Sequence, residues 1–406
     1  MLQKTQLAIH GGPRIRSKPM PPRLAFGNEE LEAIKEVFEH YKNRKVDFGY
    51  QDTYERLYTD AFINSLEVDG YADAVCTGTA ALFVAIAALH LPPGGHVIVS
   101  PITDPGTINA IILNQLVPVL SDSMPLSYNM GVEQFEERVT DKTKAVVVVH
   151  ATGQAAPIDL ITESAREKGI YVVEDCAQAH GARLNGQVVG TFGDVAAFST
   201  MYRKAHSTGG CGGVVFTRNK DLYNLARAHS DRGKPFHKLD FNERNPTMFL
   251  FPALNLNLDE ISCALGIKSL EKLNDTIKKR LDFLCLLTGE LVKKSGICNP
   301  TDISKDDSPF FFPVLVDTQK ISTSKKEFAD AVRMEGIDLN PHYMYVVYEW
   351  PWVRKYLSDD FNTPNAQYVR DNSFNLYVNE RYGQQEVADI IEAIIKIESY
   401  LSNEYS

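Results

Sequence analysis

The sequence predicts an α/β architecture built on a mostly parallel sheet, and three observations carry that expectation. Apolar strand-like runs alternate with helically spaced segments from residue 28 to about residue 217, as strand–helix–strand units do. One run, Ala145-Val146-Val147-Val148-Val149, is apolar at every position, the mark of a strand covered on both faces. After Pro300 the pattern changes to a different unit, which closes with an amphipathic segment over 387–400.

Each element follows from local chemistry. The first 27 residues, with His10-Gly11-Gly12-Pro13 and Pro19, Pro21 and Pro22, read as an extended arm. Leu31, Ile34, Val37 and Phe38 recur at helical spacing and start the folded body at Asn28. A helix over 80–89 precedes a strand over 96–100, and a helix over 108–116 precedes a strand over 117–120. The valine strand leads to a helix over 161–168, a strand over 171–173 and a further strand over 213–216. From Leu258 to Lys294 the pattern is helical, broken near Asn274 and Asp275, and Phe310 to Val316 reads as a strand. The divisions are an arm over 1–27, a large domain over 28–257, and a linking helix with a smaller α+β domain over 258–406.

A chain of 406 residues accommodates two cores. Its 44% hydrophobic and 23% charged residues are ordinary for a globular protein, and 42 basic against 52 acidic residues give a net charge of -10. That balance excludes general attraction to nucleic acid or to an anionic membrane. No apolar run approaches the roughly 20 residues of a membrane span, and Met1-Leu2-Gln3-Lys4-Thr5 opens no signal-peptide core. Six cysteines without CxxC spacing read as free thiols in a reducing compartment, so a cytoplasmic location is expected. No metal site is expected.

The chemistry gathers around Lys204. The run Tyr171 to Val173 leads into Glu174-Asp175-Cys176-Ala177-Gln178, and Phe198-Ser199-Thr200-Met201-Tyr202-Arg203-Lys204 follows. A lysine amine that condenses with an aldehyde, and a carboxylate that keeps a pyridine nitrogen protonated, are what pyridoxal phosphate (PLP) requires. Asp175 ends a strand of the predicted sheet, where open α/β sheets expose ligand-facing residues. Singly, Asp175 fits a helix cap and Lys204 a solvated loop; together they point to the cofactor. Cys76-Thr77-Gly78-Thr79-Ala80-Ala81 is a small-residue turn opening into a helix, where free amides suit a phosphate and where an ordinary N-cap is the alternative. Ser199 offers a hydroxyl to the same phosphate. His150, directly after the valine strand, suits either a structural hydrogen bond or a ligand contact.

These segments resemble the DegT/DnrJ/EryC1/StrS family of PLP-dependent sugar aminotransferases. The resemblance runs from Leu7-Ala8-Ile9-His10-Gly11-Gly12-Pro13 to the C-terminal helix and is most specific between Val173 and Gly213. It implies the fold-type I architecture, with a seven-stranded sheet sandwiched by helices. Lys204 would hold the cofactor as a Schiff base and shuttle a proton, and Asp175 would pair with the ring nitrogen. Gln178 would sit beside the ring, and Gly78, Thr79, Ala80 and Ser199 would hold the phosphate. Asn255 would reach the phosphate of a neighbouring subunit, so that a homodimer shares its active sites.

Two departures stand out. Asp104 occupies the position where the family stacks an aromatic or histidine on the ring, and Asn257 stands where arginine is common. Substrate-side candidates are Tyr50, His180, His229, Arg232, His342 and Tyr343. The expected activity is transfer of an amino group from L-glutamate or L-glutamine to a keto or aldehyde group of a sugar, sugar nucleotide or cyclitol. A deoxygenating branch carries histidine in place of the lysine; Lys204 favours transamination over that dehydratase reading, and His206, two positions on, lacks the Ser199 spacing. A non-catalytic PLP-fold sensor is the reading from another class, without a helix-turn-helix to support it.

Overall fold

The computed structural model describes residues 6–403; the Met1–Thr5 segment lies outside the described residues. Its large sheet uses strands β1 (Tyr71–Val75), β2 (His96–Val99), β3 (Val117–Leu120), β4 (Thr143–Val149) and β5 (Tyr171–Asp175). A hairpin of β6 (Arg183–Leu184) and β7 (Gln187–Val188) then precedes β8 (Val195–Ser199) and β9 (Gly213–Thr217). The seven strands lie in the order β1-β9-β8-β5-β4-β2-β3. Only β9 runs against the others. The expected mostly parallel, seven-stranded sheet is therefore present, and the carboxyl ends of six strands share one edge.

The valines of β4 are buried on both faces, with Val147 packing beneath the helices Gly78–Ala88 and Pro105–Leu113 and Val146 and Val148 on the opposite side. Each of those helices starts on a side-chain cap. Thr77 accepts from the Ala80 amide at 2.9 Å, and Asp104 accepts from the Gly106 amide at 2.8 Å with Pro105 in the first turn. Such caps satisfy amides that have no intrahelical partner.

The smaller unit is a four-stranded sheet, in which β10 (Cys298–Pro300), β11 (Phe311–Val316), β12 (Leu339–Asn340) and β13 (Ser373–Tyr377) lie in the order β10-β11-β13-β12. The expected helical break near Asn274 falls slightly earlier, at Lys272, between helices Glu260–Glu271 and Leu273–Lys294. There the Lys272 ammonium bonds Glu29 and Glu30. The helix Glu260–Glu271 lies against Asn28–Arg44 and Thr53–Ser65, so the packing of the large unit continues past residue 257. Nor is the N-terminal arm free-standing, because Leu7 and Met20 are buried in the core formed by Phe283, Leu287, Phe328 and Ile394. Apolar side chains inside a stretch rich in turn residues give the arm this anchor.

Candidate active site

The strand carboxyl ends bring four candidate residues together. β5 delivers Asp175, β8 delivers Ser199, the turn after β1 delivers Gly78, and the loop after β8 returns Lys204. Gly78 and Ser199 are so close that a Cβ on Gly78 would lie 2.4 Å from the Ser199 Cβ. The amides of Gly78 and Thr79, at the first positions of their helix, make no hydrogen bond among the described residues. A helix N-terminus with orphan amides and a facing hydroxyl is a cradle for a phosphate, and the PLP phosphate fits it. Gly78→Ala is expected to weaken PLP binding by about tenfold or more while the chain still folds, since one displaced hydrogen-bonded contact is worth roughly 1.5–3 kcal/mol when charge is involved; titration followed by absorbance measures the shift.

Asp175 is buried. Its Oδ2 accepts from the Thr107 hydroxyl at 2.8 Å and its Oδ1 from the Ala177 amide at 3.1 Å, while Thr107 also bonds Thr103. Burial pushes the carboxyl above its ordinary range, against the pull of these hydrogen bonds and of Lys204. A buried carboxylate with two oriented donors gains most from a cation placed against it, which is what a protonated pyridine nitrogen supplies. Thr107 escaped the sequence reading, although its place in the first turn of a capped helix could have suggested it.

Lys204 is also buried, and its Nζ stands 4.1 Å from the centre of the Phe310 ring. Desolvation lowers its amine to about 8, with Asp175 and Asp104 pulling the other way. Because the folded-state value lies below the ordinary 10.5, the unfolded chain binds the proton more tightly between about 8 and 10.5. Stability of the cofactor-free protein is therefore expected to rise with pH across that window. Denaturant melts of wild type and Lys204→Met check this, the variant lacking that component of the rise.

Gln178 is fixed by the Thr152 amide, which donates to its Oε1 at 2.8 Å, and its side chain approaches the Tyr343 hydroxyl. Asp104 stands exposed at the mouth as the cap of helix Pro105–Leu113, near enough to act electrostatically on both Lys204 and Asp175. The position expected to cover the ring thus carries a local structural task, and the Asp-Pro-Gly-Thr run is a cap signature in its own right.

Other candidates lie elsewhere. His180 is buried and its ring bonds the Ser199 carbonyl at 2.8 Å, with burial lowering it to about 4; it braces β8 and presents no surface to a substrate. His229 stacks on Phe251 and meets His90 at 3.0 Å, beyond the far end of helix Gly78–Ala88, so within one chain it is outside the group. His342 faces Lys325 at 3.4 Å, whereas its neighbour Tyr343 faces the site. His206 bonds Tyr58 at 2.7 Å in the core, apart from Asp175. Tyr50, Arg232, Asn255 and Asn257 form a second, partly exposed cluster: Arg232 donates to the Tyr50 hydroxyl at 2.8 Å, and Asn257 bridges Asn255 and Gln51.

His150 proves structural. Its Nδ1 accepts from the Ala156 amide, so its Nε2 carries the hydrogen and donates to Glu174 at 3.1 Å. Glu174 also accepts from the Gly190, Phe192 and Gly193 amides. His150, Glu174 and Cys176 approach one another within 4.8 Å, but the donor atoms of the first two are committed to these bonds, which lock the loop between β5 and β8. Among the described residues no helix is long and apolar enough to cross a membrane.

The sequence model of the DegT/DnrJ/EryC1/StrS aminotransferase family matches residues 27–395. The chain is 31% identical over 274 residues to GDP-perosamine synthase of Vibrio cholerae, across 67% of this chain and 71% of the relative. It is 34% identical over 224 residues to L-glutamine:scyllo-inosose aminotransferase of Streptomyces griseus, across 54% and 51% of the two chains. An aminotransferase structure from Psychrobacter cryohalolentis superposes with a TM-score of 0.85 at 26% identity, covering 93% of this chain and 98% of that one.

Proposed function

This chain belongs to the DegT/DnrJ/EryC1/StrS aminotransferase family, and from that premise we propose the following division of labour. The protein is a PLP-dependent aminotransferase of amino-sugar biosynthesis, taking nitrogen from L-glutamine or L-glutamate and delivering it to a keto or aldehyde carbon of a sugar, sugar nucleotide or cyclitol. The single observation that carries this reading is the buried pair of Asp175 and Lys204 beside the Gly78–Ser199 cradle.

When bound, PLP supplies an electron sink for the bonds made and broken at the amine-bearing carbon. The chain's residues do the rest. Asp175, held by Thr107 and Ala177, keeps a proton on the ring nitrogen. Gly78, Thr79 and Ser199 anchor the phosphate, and Gln178 borders the ring. The Lys204 amine, lowered to about 8, is partly unprotonated near neutral pH, as a residue that both accepts and returns a proton should be. Phe310 lays its ring against that amine, 4.1 Å from the Nζ to the ring centre.

Acceptors of both kinds are supported by the relatives named above, and the glutamine donor by the second of them. The cluster of Tyr50, Arg232, Asn255 and Asn257, with the exposed Leu239 and Leu254 nearby in sequence, supports a homodimer in which this face completes the partner's site. Sedimentation at twice the chain's 45.4 kDa is the expected result, and a monomer retaining full activity would refute the shared site.

The test of function is a half-reaction. PLP-loaded protein mixed with glutamine or glutamate alone should lose its visible absorption band and release one equivalent of the oxo acid, and a keto sugar nucleotide or inosose should restore the band. Loss of a hydroxyl from a sugar acceptor, with no net gain of nitrogen, would replace this reading with the dehydratase one.

A further inference from the structure

We propose that Arg23, in the N-terminal arm, is a positioning residue for Lys204, linked through Glu380 and Arg280 to the ring of Phe310. The inference rests on the assignment of Lys204 made above and adds how its turn is held.

The segment 201–207 belongs to no helix or sheet ladder, and the Lys204 amide reaches only the Met201 carbonyl, at 2.8 Å. The Arg23 guanidinium spans the back of this turn. Nη1 donates to the carbonyls of Tyr202 at 2.9 Å and Lys204 at 2.5 Å, and Nη2 donates to that of Ala205 at 2.9 Å. Among the described residues no other hydrogen bond reaches those three carbonyls. Only a planar fork of five donors can meet three carbonyls and a carboxylate at once. That carboxylate is Glu380, which accepts from Arg23 Nε at 2.8 Å.

Glu380 lies in the connection between β13 and the helix Gln384–Leu401. Burial works to raise its carboxyl, yet Arg280 and Arg23 hold it below the ordinary range. Its other oxygen accepts from Arg280 at 2.9 Å, and Arg280, fully buried, donates to the Pro309 carbonyl at 2.9 Å. The next residue is Phe310, whose ring faces the Lys204 amine. One carboxylate of the small unit therefore ties the guanidinium behind Lys204 to the guanidinium behind the ring in front of it. Leu24, directly after Arg23, adopts a positive φ of 47°, a conformation unfavourable for a residue with a Cβ that persists where surrounding contacts fix it. The contacts of Arg23 are of that kind.

The variants are Arg23→Ala, Arg23→Lys and Glu380→Gln in the full chain, and hydrogen exchange on cofactor-free protein is the primary readout. Arg23→Ala should speed exchange at the amides of 203–206 about tenfold or more, the equivalent of one charge-assisted bond, and leave β4 unchanged. With PLP and donor, kcat should fall roughly 10- to 100-fold with the donor KM within threefold, as a misplacement of about 1 Å costs. Glu380→Gln should fall between wild type and Arg23→Ala, and Arg23→Lys should restore little because an ammonium cannot span the turn. If Arg23→Ala fails to fold, Arg23→Lys decides by the same exchange readout. Unchanged exchange over 203–206, or full kcat in Arg23→Lys, overturns the proposal. Failure of PLP to attach to wild-type Lys204 would overturn the assignment of the site instead, and exchange would still judge Arg23.

Discussion

Lys204→Ala is expected to abolish turnover, with a fall in kcat of about 10³-fold or more. The substitution removes the amine that binds the cofactor covalently, and the proton carrier, whose part alone contributes about 10²–10⁴-fold. It should not prevent folding. In the wild type the amine is buried and its charged form is disfavoured, which is why it is lowered to about 8, so deleting it relieves a desolvation cost at neutral pH. The two effects separate experimentally: intact melting with no borohydride-stable cofactor on the chain is the predicted outcome, read by calorimetry and intact-mass spectrometry. A variant that keeps a tenth of wild-type activity would mean that another residue carries the proton.

Asp175→Asn carries the second largest effect. The substitution keeps the shape and one acceptor for the Ala177 amide but removes the charge opposite the ring nitrogen, and it turns an NH₂ toward the Thr107 hydroxyl. Loss of one preorganised electrostatic group costs roughly 10²–10³-fold in kcat, and a fall of that size is expected for the donor half-reaction. Stability should move the other way. Burial raises the Asp175 carboxyl above its ordinary 3.8, so the folded chain binds the proton more tightly and stability of the cofactor-free protein declines as pH rises through that range. The asparagine variant escapes this decline, and melts at pH 7 should show it at least as stable as wild type without cofactor.

Much of this was legible in the sequence because the relevant signals are local. The run of one alanine and four valines in β4 reads as a strand covered on both faces. The Thr77-Gly78-Thr79 turn and the spacing of Asp175, Ser199 and Lys204 lie within single strand–loop units. What the sequence concealed depends on distant or ambiguous partners. β1 reads Tyr71-Ala72-Asp73-Ala74-Val75, and its central Asp73 is tolerated because two groups far along the chain meet it, the Arg227 guanidinium at 3.5 Å and the Ser230 hydroxyl, which donates to it at 2.6 Å. β8 holds two alanines, whose weak strand preference hid it. Helix Thr53–Ser65 carries its buried face on Tyr58 and Phe62, aromatic residues that also suit strands. His180 follows so closely on Asp175 that the chain position suggests a ligand, while the fold turns its ring under β8. Arg23, Arg280, Phe310 and Glu380 gather around Lys204 from four separate stretches, and no local pattern announces such a meeting.

The central claim is that Lys204, beside Asp175 and the Gly78–Ser199 cradle, is the residue that takes PLP. Loading the purified protein with PLP, reducing it with borohydride and mapping the modified peptide tests this most directly. A single phosphopyridoxyl group is expected on the peptide containing Lys204, present in wild type and absent after prior incubation with glutamine or glutamate. Modification spread over surface lysines, or none at Lys204, would contradict it.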